Sequence, residues 1–338
     1  MRLLLAALAC LVLSVSVKGK SAAIDAAAIT APAYPPLLSQ FGFFTGGADR
    51  PSPALLPYAL RTPLFTDYAE KQRFLYLPPG ASYSIASDGR LQFPVGSALI
   101  KSFGYHDAEG RLKIVETRLL LHRADGWVAL PYVWKDDGSD AELKLGGARK
   151  PVAFKKPDGT AMAINYAVPN KNQCKQCHSS KDQLMPVGPV WSNLSFQSQK
   201  AEAAFALRAL TPLPPRPLEA KWDDPKSGTV DARARAYLRV NCGHCHKPSG
   251  SASNSGLFYD DHPGSPASLG IGKRPVAAGR GAGNFDFAID PGHPERSILI
   301  YRMKSTDPGI AMPELGRASV HDEGIALLEQ WIRAMPPG

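Results

Sequence analysis

The stretch DARARAYLRVNCGHCH, residues 231–246, decides the fold of the C-terminal part of the chain. Asp231 to Val240 reads as a helix, because Ala234, Tyr237 and Leu238 fall at i, i+3 and i+4 and give it one apolar side. That helix runs directly into Cys242, Cys245 and His246. A second helix is expected over about Asp322 to Met335, where Ile325, Leu328 and Ile332 share a face widened by Leu327 and Trp331. The two would pack together beside whatever the cysteines hold, burying its edge and excluding water.

The same spacing occurs once more, at Cys174-Lys175-Gln176-Cys177-His178. Apart from Cys10, every cysteine lies in a Cys-x-x-Cys pair followed at once by histidine. With 8 His in 338 residues, coincidence is a poor explanation. Two thiols three positions apart can meet the two vinyl groups of one porphyrin, while the adjacent imidazole swings beneath the ring to bind iron. Two haem c groups are therefore expected. Cys174 and Cys177 would anchor one, with His178 as its proximal ligand, and Cys242, Cys245 and His246 would serve the other. A four-cysteine zinc site wants its pairs closer than the 64 residues between Cys177 and Cys242, and gives the histidines no role. A disulfide within Cys-x-x-Cys closes a small loop and stabilises little. A thioredoxin-like site wants one such pair opening a helix after a strand. His244, between two cysteines, reads as a spacer.

At the N-terminus Arg2 precedes an apolar run, Leu3 to Val17, too short to span a bilayer comfortably. Residues 1–23 read as a secretory signal cut after Ala23, with Val17 and Gly19 offering a second site, and the mature chain is expected in the periplasm or otherwise exported to the cell envelope. Lipid anchoring at Cys10 is disfavoured because the apolar run continues past it. No other stretch is apolar enough to cross a membrane. Losing Arg2, Lys18 and Lys20 lowers the formal charge from +9 to +6, and four haem propionates would lower it further. Lysine and arginine are scattered, with no stripe interleaved with aromatics, so no nucleic-acid partner is expected.

Hydrophobic residues at 44% and charged residues at 20% are ordinary for a globular chain, and 31 Pro with 30 Gly imply many turns. The expected class is α+β. Residues 24–60 form an irregular Pro/Ala-rich arm. Residues 61–165 form a β-rich domain, sandwich or barrel-like, with strands at 73–77, 98–103, 114–121 and 127–134. Residues 166–210 carry the first haem motif and a helix over Gln199 to Leu210. Residues 211–220 are a Pro-rich linker, and 221–338 a mainly α-helical domain with the second haem. The flanks of the two motifs do not align, so they are not a simple repeat.

The C-terminal hundred residues resemble small class I cytochrome c domains, particularly the planctomycete type. The resemblance rests on YLRVN (237–241), Ser255-Gly256-Leu257, PGHPERS (291–297), Met312-Pro313 and Trp331-Ile332. It implies Met312 as the distal iron ligand. Met303 is the competitor, but its setting on an amphipathic run from Leu299 reads as core. Over nearly its whole mature length the chain looks like a little-characterised family of exported dihaem c-type cytochromes, some associated with β-helix repeat proteins. The matching pieces are LRTPLFTDY (60–68), FPVG (93–96), ETRLL (116–120), Gly126-Trp127, YVW (132–134) and VPN (168–170).

The resemblance implies electron transfer to an unidentified redox protein partner, with no catalytic residue assigned. A peroxidase-like dihaem oxidoreductase working at the first haem is the alternative, as is an electron-accepting docking partner of a periplasmic dehydrogenase. The sixth ligand of the first haem is open. Met185 follows His178 by seven residues, a contour of roughly 25 Å at most, and could bind iron or pack on the haem edge. His106, His122, Met162 or an open position are the other choices. His262, His293 and His321 read as turn or cap residues, and Trp127, Trp134 and Trp191 as core.

Overall fold

A computed structural model describes residues 23–180, 183–260, 265–276 and 278–336. The expected signal, Cys10 included, and His262 lie outside the described residues, save Ala23.

Six strands form one antiparallel meander: β1 (Leu56–Pro57), β2 (Glu70–Tyr76), β3 (Ala98–His106), β4 (Leu112–Arg123), β5 (Gly126–Trp134) and β6 (Ala141–Leu143). Side chains alternate across it, so each register row belongs to one face. Phe74, Ile100, Leu119 and Leu130 make such a row. The arm covers it with Ile29, Leu38, Phe41 and Phe43, all at most 1% exposed. Along the opposite face run Leu75, Leu99 and Leu120, then Arg73, Lys101 and Arg118, then Lys71, Phe103 and Glu116.

The expected sandwich or barrel takes a different form: a single open sheet whose edge strands β1 and β6 do not pair with each other. The reason lies in the arm. Its aromatic and aliphatic side chains supply the apolar cover that a second sheet would otherwise give. A short helix, α1 (Ala26–Thr30), is seated there by the Asp25 carboxylate, which accepts from the Ala27 and Ala28 amides. On the other face a hairpin, β7 (Ala148–Lys155) and β8 (Ala161–Val168), packs Phe154 and Tyr166 against Phe103 and Tyr105.

The remaining helices are α2 (Lys171–Cys177), α3 (Gln199–Ala206), α4 (Val230–Asn241), α5 (Ile298–Lys304) and α6 (Asp322–Arg333). With six α-helices among the described residues and a large N-terminal sheet, the class is α+β. Helix α3 stops short of Leu210 because the Leu210 amide leaves the helix to bond the Tyr83 carbonyl at 2.7 Å. Ala234, Tyr237 and Leu238 of α4 meet Ile325, Leu328, Trp331 and Ile332 of α6 in one buried cluster. No described helix is long and apolar enough to cross a membrane.

Residues 61–68 form a strap that ties the sheet to the helical part. Thr62 exchanges hydrogen bonds with the Asn193 side chain at 2.8 and 2.9 Å, and the Phe65 amide donates to Asn241 Oδ1 at 2.7 Å. The Pro-rich segment 211–220 holds neither helix nor strand, as its composition dictates, yet it is tied down. Arg61 Nε reaches the Glu219 carbonyl at 2.7 Å, and Trp191 Nε1 the Pro214 carbonyl at 3.2 Å.

Candidate functional site

Each Cys-x-x-Cys-His motif is placed by a helix. Asn170 and Gln173 form a reciprocal cap at the start of α2, the side chain of each accepting from the other's amide. Cys174 and Cys177 then share a face of that helix, three residues apart, and His178 caps its end. Helix α4, capped by Thr229 Oγ1, delivers Cys242 at its own C-terminus. Gly243 follows where a Cβ would stand 2.6 Å from the Arg239 carbonyl oxygen, so only glycine fits this tight exit. Ser255 Oγ lies 3.2 Å from His246 Nδ1 and orients that ring.

The two motifs, far apart in sequence, converge. Sγ of Cys177, Sγ of Cys245 and a ring nitrogen of His244 all lie within 4.8 Å of one another. Cys177 donates to Cys245, which lowers the Cys245 thiol and raises that of Cys177, and His244 and Ser251 further favour charge on Cys245. This trio could hold a metal ion by itself.

Between the sheet and the C-terminal helices lies a cavity of about 730 Å³, within the range of cofactor sites. Cys174, Cys177 and His178 line one side, and Gly243, His244 and Met312 another. Leu99, Leu120, Val187 and Val190 supply apolar wall. Cys242, Cys245 and His246 are not part of the lining. Met303 also reaches the cavity, but it is 6% exposed and belongs to the buried cluster with Ile300 and Leu328.

Met185 sits beside His178, not facing it across the cavity. The strand pair β9 (Ser179–Ser180) and β10 (Gln183–Leu184) brings the Met185 amide to the His178 carbonyl at 2.8 Å, and Met185 is absent from the lining. His106, His122 and Met162 do not line it either. His106 is exposed and bonds Glu70 and the Gly110 carbonyl. His122 bonds the Phe93 carbonyl and stacks on Trp127, while Met162 packs with the hairpin cluster. Trp134 and Trp191 are core residues.

Two residues were missed by sequence reasoning. His244 is 8% exposed, lines the cavity, and its Nδ1 is buried with no partner among the described residues. His321 caps α6 as expected, but it is also buried, stacked on Phe65 at 4.1 Å and bonded to Tyr237 Oη at 2.9 Å. A histidine between motif cysteines was the one available signal for His244. None pointed to burial of His321.

The residues at the first motif fit a haem. Nδ1 of His178 is shielded from solvent and has no hydrogen-bond partner among the described residues. Enclosure, and next the charge of Lys101, lower its pKa to about 3, so the imidazole is neutral and able to bind a metal. Nη2 of the 7%-exposed Arg73 is likewise buried and without a partner among the described residues. No family model, curated protein or solved structure matches this chain.

Proposed function

We propose that this chain is an exported dihaem c-type cytochrome that transfers electrons in the cell envelope. The supporting observation is that two Cys-x-x-Cys-His motifs, 64 intervening residues apart, meet, with Sγ of Cys177 and Sγ of Cys245 within 4.8 Å and with His178 of the first motif and His244 of the second lining one cavity. Cys174 and Cys177 hold one haem, and Cys242 and Cys245 the other. His178 and His246 offer the proximal imidazoles, and Met312 a thioether to the second iron. Bound there, haem supplies one-electron chemistry between ferrous and ferric iron. Leu99, Leu120, Val187 and Val190 would give such a group an apolar wall, and Cys177 and Cys245 would anchor the two groups from neighbouring positions. In this reading α4, α5 and α6 are the helices of a class I cytochrome c domain, and the partner is a redox protein.

The cysteine–histidine trio carries a second reading, a metal ion held by Cys177, His244 and Cys245 with a fourth position open. That reading leaves His178 and His246 without a role. Expression with a cytochrome maturation system, followed by intact mass and metal analysis, separates the two. Covalent mass of two haems and two equivalents of iron are expected. Zinc at one equivalent, with no haem on a denaturing gel, would replace the first reading by the second.

A further inference from the structure

Three cations stand side by side on the cavity face of the sheet. Arg73 on β2 is the register partner of Lys101 on β3, which is the partner of Arg118 on β4. Like charges directly opposite on neighbouring strands repel, and burial removes the water that would screen them. Only Arg118 is answered. Its guanidinium grips the fully buried Glu116 at 2.6 and 2.8 Å, and Tyr166 Oη donates to the same carboxylate.

Arg73 and Lys101 have no carboxylate within ion-pair reach among the described residues. Arg73 Nη1 donates to the Lys71 carbonyl at 3.3 Å, and Nη2 to nothing. Lys101 Nζ lies 4.8 Å from the centre of the Phe103 ring. Burial, and then the neighbouring cations, lower the Lys101 pKa well below its ordinary value. All three row members line the same cavity as Cys174, Cys177 and His178. Among the described residues, seven Arg and Lys side chains line the cavity with two acidic ones, Asp88 and Asp260.

A row with unanswered charge, enclosed and aimed at a cavity, calls for an anion. We infer that Arg73, Lys101 and Arg118 form a carboxylate clamp that holds the propionates of the haem attached at Cys174 and Cys177. This rests on the haem reading above. Planar carboxylates suit the Arg fork and the Lys ammonium, and charge-assisted hydrogen bonds are the strong ones. The clamp would couple the sheet to the first haem. A positive row beside it favours the reduced iron, which carries one positive charge fewer.

The test uses purified holoprotein. Intact mass first establishes that two haems are attached, and spectroelectrochemical titration then follows both reduction waves. Lys101→Gln is expected to lower the reduction equilibrium of one haem about tenfold, ~59 mV for one electron, and leave the other in place. Lys101→Arg should restore it. Waves that do not move, or that move together, overturn the clamp. A wild-type arm needs no variant to fold: calorimetric titration with succinate is expected to show no binding, because the row is filled. Binding that Arg73→Gln weakens would make the row a site for a free carboxylate and overturn the assignment to propionates. Haem-free mass would sink the cytochrome reading and the clamp with it, whereas haem present with unmoved waves sinks the clamp alone.

Discussion

The loop after Met312 hangs on one buried carboxylate. Asp67, 1% exposed, accepts from the Ala318 and Ser319 amides and from Ser319 Oγ at 2.7 to 2.9 Å. It does so from a left-handed backbone, with φ of 47° at Asp67 and 60° at Tyr68, a conformation uncommon for a tyrosine. Tyr68 Oη holds the far end of that turn to Glu323 at 2.9 Å. Asp67→Ala leaves three donors without an acceptor and is expected to cost ~3 kcal/mol in urea unfolding, with Asp67→Asn costing less because one acceptor oxygen remains. An unchanged midpoint in the alanine variant would show that water replaces the carboxylate. His321 stands nearby, enclosed by Phe65, Tyr68, Trp222 and Tyr237, with Asp322 and Glu323 beside it and Lys71 and Lys156 in range. Burial, then the Lys71 charge, lowers its pKa to about 4. The unfolded chain, titrating near 6.5, takes up the proton first. This contribution to stability is therefore complete above about pH 6.5 and falls as pH drops towards 4, by up to ~3 kcal/mol. His321→Phe should flatten that part of the curve, read as a smaller loss of unfolding free energy between pH 7 and 4.5 than in the wild type. Parallel curves would refute it.

Helices α4 and α6 meet through side chains whose spacing announces them, which is why both are legible from sequence to within two residues. Leu328 is fully buried at that contact, and Leu328→Ala is expected to destabilise by about 2–5 kcal/mol in denaturant unfolding. The contrast on the same helix is Asp322, 60% exposed and paired with Lys156 at 2.6 Å. Only the Asp322 end of the pair is open to solvent, the Lys156 side chain being 9% exposed, so Asp322→Ala should move the midpoint less than Leu328→Ala does, and an equal shift would mean the pair holds the hairpin down. The four central strands were equally readable from runs rich in β-branched, aliphatic and aromatic residues, as at 114–121, whereas β1, β6 and the hairpin β7–β8 were not among those expected. What each strand pairs with was not readable. Arg73, Lys101 and Arg118 each look like an ordinary polar position in an alternating strand, and only the register aligns them. The sandwich expectation failed for a related reason: an arm without periodicity carries no sign of the face it covers. Cysteine spacing made the two motifs legible, but their proximity depends on contacts between Cys177 and Cys245, 68 positions apart.

The strap makes one molecule of these pieces. Thr62 is fully buried and Asn193 is 5% exposed, and the Asn193 amide serves as donor and acceptor to the Thr62 backbone. From Thr62 the network continues to the C-terminal part, where Thr62 Oγ1 donates to the Ala220 carbonyl and accepts from the Trp222 amide. The sheet, the segment at Asn193 and α4 are therefore coupled through buried polar groups, which have no alternative partner once the strap moves. Cooperative unfolding follows: hydrogen exchange across a urea series should expose peptides of β3 and β4 at the same concentration as peptides of α4 and α6. Asn193→Ala removes both bonds, leaves a buried amide and carbonyl of Thr62 unsatisfied, and is expected to cost ~2–4 kcal/mol. More tellingly, it should separate the two sets of peptides, with α4 and α6 opening first because the sheet keeps its arm and its own ladder. If the variant lost stability while all peptides still opened together, the coupling would lie in the cavity walls and not in the strap.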